Sequence, residues 1–143
     1  MLNKTSIQQN VLYVVFAQAL VAMLGSLFFS EVKLLPPCLL CWYQRIAMYP
    51  LVVVAAVGIL RDDRKAYQYG LPLSVVGMGF AMYHNLLYYA ILPESAAPCR
   101  LGISCTTKTI EWFGFITIPL LSLAAFVLIT VCFLAQRWAG EKK

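Results

Sequence analysis

Four apolar stretches, at 11–29, 42–60, 70–92 and 112–134, occupy most of this 143-residue chain. Each is close to the ~20 helical residues that cross a hydrocarbon core of ~30 Å. In lipid every backbone N–H and C=O must be satisfied within the protein, so a continuous apolar run spans as a helix. A barrel strand would alternate instead, and these runs do not. Only 12% of the residues are charged and the mean hydropathy is +0.78, against about a quarter charged in a soluble domain. The expectation is an all-α membrane protein. The first stretch could be a cleaved signal peptide, but its length and the lack of a small-x-small site before Glu31 favour a retained helix.

The connections at 30–41, 61–69 and 93–111 are short. Short loops make successive helices antiparallel neighbours, so the chain reads as a single domain, 1–143, folded as an up-down-up-down bundle of four transmembrane helices. The net charge of +5 comes from scattered basic residues, which argues for membrane topology rather than a nucleic-acid partner. Lys4, Arg61, Arg64, Lys65, Arg137, Lys142 and Lys143 fall on one side, and Lys33, Arg45, Arg100 and Lys108 on the other. The richer side is expected to be cytoplasmic. Both termini then face in, and the 30–41 and 93–111 loops face out.

Those outer loops carry the chemistry. Cys38 and Cys41 form a Cys-x-x-Cys pair after Pro36-Pro37, and Cys99 and Cys105 lie in the second loop. Outside the membrane is where disulfides form and persist, so topology and cysteine placement agree independently. Two intervening residues let both sulfurs of Cys38 and Cys41 meet on one turn, and a helix N-terminus there favours a thiolate. Redox cycling, a static disulfide and metal binding all use such a pair. Zinc needs four soft ligands in closed geometry. Five residues separate Cys99 from Cys105, and His84, inside a span, is poorly placed to join them. No metal is expected.

Arg45 follows Cys41 by four residues, on the same helical face one turn deeper. A guanidinium near the hydrocarbon costs free energy unless it snorkels to the headgroups. The functional reading makes it a fixed positive charge facing the Cys41 sulfur and an acceptor docked against it. His84 is the single histidine, about eight residues inside the outer end of the third stretch, with Asn85 beside it. It is either a packing residue or a donor to an acceptor between the helices. Cys132 is unpaired within the fourth stretch and is expected to be inert. Phe28, Phe29, Trp42, Tyr43, Tyr67, Tyr88, Tyr89, Trp112 and Trp138 read as interfacial belts. Gly77 and Gly79, with Gly25 and Ser26, read as close-approach positions. Pro72 lies near a helix start, while Pro50 and Pro119 are expected to bend their helices or loosen a turn.

The ordered set Pro37-Cys38-Leu39-Leu40-Cys41-Trp42-Tyr43-Gln44-Arg45, Tyr83-His84, Cys99 with Cys105, and Glu111-Trp112-Phe113-Gly114-Phe115 with Pro119 resembles the disulfide bond formation protein B family (DsbB), in particular its short Gram-positive form, BdbC. The resemblance covers the chain from Val11 to Leu134. It implies an enzyme of the bacterial cell membrane, a quinone-dependent protein-disulfide oxidoreductase supporting oxidative folding of secreted proteins. Its partner would be a thioredoxin-fold thiol oxidase (DsbA- or BdbD-like) outside the membrane, and its acceptor menaquinone or ubiquinone. Carried onto this chain, Cys99 would be attacked by the partner, Cys105 would attack Cys38, and Cys41 would face the quinone with Arg45 stabilising its thiolate and His84 nearby. The five-residue spacing of Cys99 and Cys105 is far shorter than the insert of the long form, which speaks against a wide swing of that loop. The reading from another class is a noncatalytic, disulfide-stapled four-helix assembly or adaptor protein. A small transporter is disfavoured because every carboxylate falls at a loop or span end.

Overall fold

The computed structural model describes residues 4–93, 95, 97–98, 104–105, 111–112 and 116–141. Its long elements are α1 (Lys4–Leu27), which runs into a π-helical turn (Phe28–Val32), α2 (Leu39–Leu60), α3 (Tyr67–Tyr88) and α4 (Ile118–Glu141). Before α4, β1 (Glu111–Trp112) and β2 (Ile116–Thr117) pair antiparallel, Glu111 opposite Thr117 and Trp112 opposite Ile116.

The helix ends follow from local chemistry. At the end of α2 the N–H of Asp62 bonds the Ile59 carbonyl at 3.3 Å and that of Asp63 bonds the Gly58 carbonyl at 2.8 Å. Asp62 takes a left-handed φ of 50°. At the end of α3, Ala90 bonds Leu87 at 3.1 Å and Ile91 bonds Leu86 at 3.0 Å, with Ala90 at φ 54°. Both are Schellman closures made without glycine, at a conformational cost of roughly 1–2 kcal/mol each. The second of them stops the third helix at Tyr88 rather than at 92, so His84 sits about one turn from its end, nearer the outer end than expected. The fourth helix starts at Ile118, not 112. The Thr117 hydroxyl accepts the N–H of Leu120 at 3.3 Å as a cap, and Pro119 occupies the first turn, where a missing N–H costs nothing. Pro119 therefore starts a helix instead of bending one, whereas Pro50 and Pro72 lie inside α2 and α3.

Successive helices pack side by side, and α4 closes the ring against α1. Each pair runs antiparallel. Asn85 meets Pro119, Ser74 meets Thr130, and Gly70 lies against Phe133, so numbers fall along α3 as they rise along α4. Arg45 meets Ser26 and Gly58 meets Leu12 in the same sense across α2 and α1. The bundle order read from sequence holds for the helices. Three of them, Ser6–Val32 with its π turn, Leu39–Leu60 and Ile118–Gly140, are long and apolar enough to cross a membrane. The third, 22 residues long, carries Gln68, Ser74, His84 and Asn85 among its tyrosines. Ser74, His84 and Asn85 are turned inward and buried.

The α3–α4 seam is the tightest part of the bundle. Gly70 and Gly77 face the rings of Phe133 and Phe126, where an added Cβ would overlap them. Between them the Thr130 hydroxyl bonds Ser74 at 3.1 Å. Of the glycines expected to permit close approach, Gly77 does so, while Gly25 and Gly79 meet nothing within 4 Å.

Candidate functional site: a dithiol at the mouth of an apolar cavity

Pro36-Pro37 deliver the chain to Cys38, which caps α2 in an extended conformation (φ −69°, ψ 168°). Its sulfur accepts the N–H of Cys41 at 3.4 Å, the bond that an N-cap side chain makes to the first turn. One turn on, the Cys41 sulfur lies 2.9 Å from it. Both are free thiols, with Cys38 buried and Cys41 partly so.

His84, 3% exposed, reaches the pair from α3. Its Nε2 lies 3.8 Å from the Cys38 sulfur and its Nδ1 lies 3.1 Å from Nε2 of Gln44. An amide nitrogen only donates, so Nδ1 accepts and Nε2–H points at the sulfur. Turning the Gln44 amide over reverses both roles. The Cys38 thiol is pulled down to about 4, mainly by the hydrogen bond with the Cys41 side chain. Burial opposes that shift, and the hydrogen bond from His84 reinforces it. The thiolate form is therefore favoured at Cys38 over an ordinary cysteine.

Arg45 is held from α1. Its Nε–H donates to the Ser26 hydroxyl and its Nη2 to the Ser26 carbonyl, each at 2.8 Å. Its guanidinium also lies 5.6 Å from the Trp42 ring centroid. Arg45 and Cys41 line the same cavity, but the direct partner of the guanidinium is Ser26.

That cavity, about 370 Å³, opens between α1, α2 and the ends of α3 and α4. Cys38, Cys41, Gln44, Arg45 and His84 line it together with Gly25, Phe29, Met48 and Phe126. Tyr49 and Gln18 also line it, and the Tyr49 hydroxyl is buried with no hydrogen-bond partner among the described residues. Cys105 lines the cavity too. It is disulfide-bonded and 3% exposed, in one buried cluster with Cys38, Leu40, Leu87 and Ala97. Cys99 lies outside the described residues.

The structure thus brings together Cys38, Cys41, Arg45, His84 and Cys105. It places His84 beside the Cys38–Cys41 pair, nearer the outer end of α3 than expected. It sends Asn85 elsewhere: its amide bridges the Ala81 and Pro119 carbonyls, each at 2.8 Å. Tyr88 is buried against the cavity instead of standing in the interfacial belt. Cys132 packs against the main core. Sequence reasoning does not single out Gln44 or Tyr49, nor Ser26 as the partner of Arg45. Gln44 has a signal, being a polar residue three positions after Cys41 in an apolar run.

Comparison with known proteins agrees with this geometry. The family described as "Disulfide bond formation protein DsbB" matches residues 8–136. The chain is 44% identical over 124 residues to "Probable disulfide formation protein C" of Halalkalibacterium halodurans, covering 87% of this chain and 90% of that one. It is 44% identical over 120 residues to "Disulfide bond formation protein C" of Bacillus subtilis strain 168, covering 84% and 87%. A "Probable disulfide formation protein" of Metapseudomonas resinovorans is 38% identical over 129 residues, 90% of each chain. No solved structure matches the chain.

Proposed function

Because the chain belongs to the disulfide bond formation protein DsbB family and is a membrane thiol–disulfide oxidoreductase of that kind, we propose that it reoxidises a thioredoxin-fold thiol oxidase outside the cell membrane and delivers the electrons to a quinone. The observation that carries this reading is the single cavity shared by Cys38, Cys41, Arg45, His84 and Cys105. α3 is the fourth membrane helix in this reading, with Ser74, His84 and Asn85 turned inward and Val75, Val76 and Met82 exposed, and both cysteine loops face out.

The relay balances as thiol–disulfide exchange. A partner thiolate attacks the Cys99–Cys105 disulfide, and the partner's second thiolate closes its own disulfide, leaving Cys99 and Cys105 reduced. Cys105 then attacks the Cys38 sulfur of a Cys38–Cys41 disulfide, and Cys41 leaves as the thiolate. Cys99 attacks Cys105 in turn, restoring the outer disulfide and expelling Cys38. A thiol of low pKa leaves faster, so the N-cap position and His84 assist that last step. Two electrons now reside on the Cys38–Cys41 dithiol, the state in which both thiols are free.

The cavity fits a quinone. Its volume of about 370 Å³ lies in the ~300–1,000 Å³ range of small-molecule sites. The lining is largely apolar, with polar groups at separate points, including the Tyr49 hydroxyl, which has no partner among the described residues. When bound, a quinone supplies an acceptor for two electrons and two protons. Arg45, fixed by Ser26, holds positive charge beside the thiol end of the cavity, and His84 can hold or release a proton at Nε2 next to Cys38. A stapled adaptor needs neither a free dithiol nor such a cavity.

The test is quinone reduction by purified protein supplied with a reduced dithiol partner. Cys38→Ser and Cys41→Ser are each expected to abolish turnover. Full quinone reduction in either variant rejects the oxidase reading.

A further inference from the structure

Cys38 Sγ, Cys41 Sγ and a ring nitrogen of His84 all lie within 4.8 Å of one another. From this we infer that the reduced pair is a binding site for a soft divalent cation of the zinc class, with two thiolates and one imidazole as ligands and the fourth position open to the cavity. The inference stands apart from the quinone reading, since it concerns the dithiol state alone.

Zn–S bonds of ~2.3 Å and a Zn–N bond of ~2.0–2.1 Å in a tetrahedral site put two sulfurs about 3.8 Å apart and sulfur and nitrogen about 3.5 Å apart. The Cys38 sulfur and His84 Nε2 are already at 3.8 Å. The sulfurs, at 2.9 Å, need to part by about 0.9 Å to reach that spacing. Cys41, which packs on the Cys38 cluster but also lines the cavity, has open space on its cavity side for that movement.

The imidazole is also equipped for the role. A ligating Nε2 must be bare, so Nδ1 must carry the proton and needs an acceptor behind it. Gln44, 7% exposed and 3.1 Å from Nδ1, provides one when its amide turns over to present oxygen. The same side chain therefore serves a Cys38 thiolate with one face and a metal-bound histidine with the other. Binding releases whatever protons the two thiols carry, and no electron moves. A clamped pair cannot close a disulfide, and a closed disulfide cannot bind the ion, so occupancy reports the redox state and blocks the exchange.

The test uses the full chain in detergent, reduced, with Cys99→Ser, Cys105→Ser and Cys132→Ala removing the other thiols. Cd²⁺ is titrated by its thiolate charge-transfer absorption, and Zn²⁺ by competition with a chromophoric chelator. One saturable ion per chain is expected, lost on oxidation of the pair. His84→Gln should weaken binding by at least about 100-fold, and Gln44→Leu by about 10- to 100-fold, the range for a partner behind a ligating histidine. Circular dichroism checks that each variant keeps its helices, and Gln44→Leu carries the test if His84→Gln does not fold. Binding of undiminished strength in the folded variants, or none in the parent, overturns the inference.

Discussion

The α3–α4 seam and the outer half of the α1–α2 seam use the same residue type to opposite ends. On α3, Gly70 and Gly77 are filled by the rings of Phe133 and Phe126. On α1, Gly25 meets nothing within 4 Å and lines the cavity instead. A glycine in a membrane helix therefore says only that a neighbour can come close. Whether one does depends on the facing helix. α4 offers two phenylalanines seven residues apart, whereas α2 turns Cys41, Arg45 and Tyr49, spaced by four, toward the space. One seam stores stability and the other stores room for chemistry.

The largest expected effect strikes the filled seam. Phe126 is fully buried, and Phe126→Ala should cost about 3–5 kcal/mol through the void it leaves, read as a shift in reversible unfolding in mixed micelles. Phe126 also lines the cavity, so the paired substitutions Gly77→Val and Gly25→Val separate the two seams more cleanly. Gly77→Val drives a side chain into the Phe126 ring and should destabilise by about 1–3 kcal/mol. Gly25→Val should leave stability within about 0.5 kcal/mol, since it trades a glycine for a modestly better helix former, while raising the KM for quinone several-fold. Equal destabilisation by the two valines would erase the contrast.

What is legible in the chain divides along the same line. Features set within one helix can be read: the Cys38–Cys41 turn, Arg45 one turn below it, and the helices as apolar runs. Features set between helices cannot. Ser26 is silent until α2 brings Arg45 against it, and Gln44 is an ordinary polar residue until α3 supplies His84. The small face of α3, Gly70, Ser74, Gly77 and Ala81, is written in helical spacing, yet only Gly77 of it stands out beside another glycine in the sequence. The start of α4 is hidden because 112–117 is as apolar as the helix itself. The start signals there are the Thr117 cap and Pro119 at N-terminal spacing.

A smaller effect tests how Arg45 is held. Ser26→Ala removes the hydroxyl acceptor of its Nε–H but leaves the carbonyl that accepts from Nη2. A loss of about 1 kcal/mol is expected, as for a single hydrogen bond. Quinone reduction should slow while alkylation of the thiol pair by a small reagent is unchanged. A matching loss of thiol reactivity would show that Ser26 supports Cys41 and not the cavity.

The smallest change in stability should come from Tyr49→Phe. The Tyr49 hydroxyl is buried with no partner among the described residues, so it contributes an unmet desolvation cost rather than a bond. Removing it should leave the fold as stable as before or raise stability by up to about 1 kcal/mol. Quinone affinity should move the other way. If the hydroxyl donates to a bound carbonyl, losing a hydrogen bond of about 0.5–1.5 kcal/mol weakens binding by roughly 2- to 10-fold, measured by equilibrium titration of the oxidised protein so that electron transfer does not intervene. Stability and affinity moving in opposite directions would mark Tyr49 as part of the room the α1–α2 seam keeps open. If both fall together, the hydroxyl belongs to the packing, and the cavity is polar only at its thiol end.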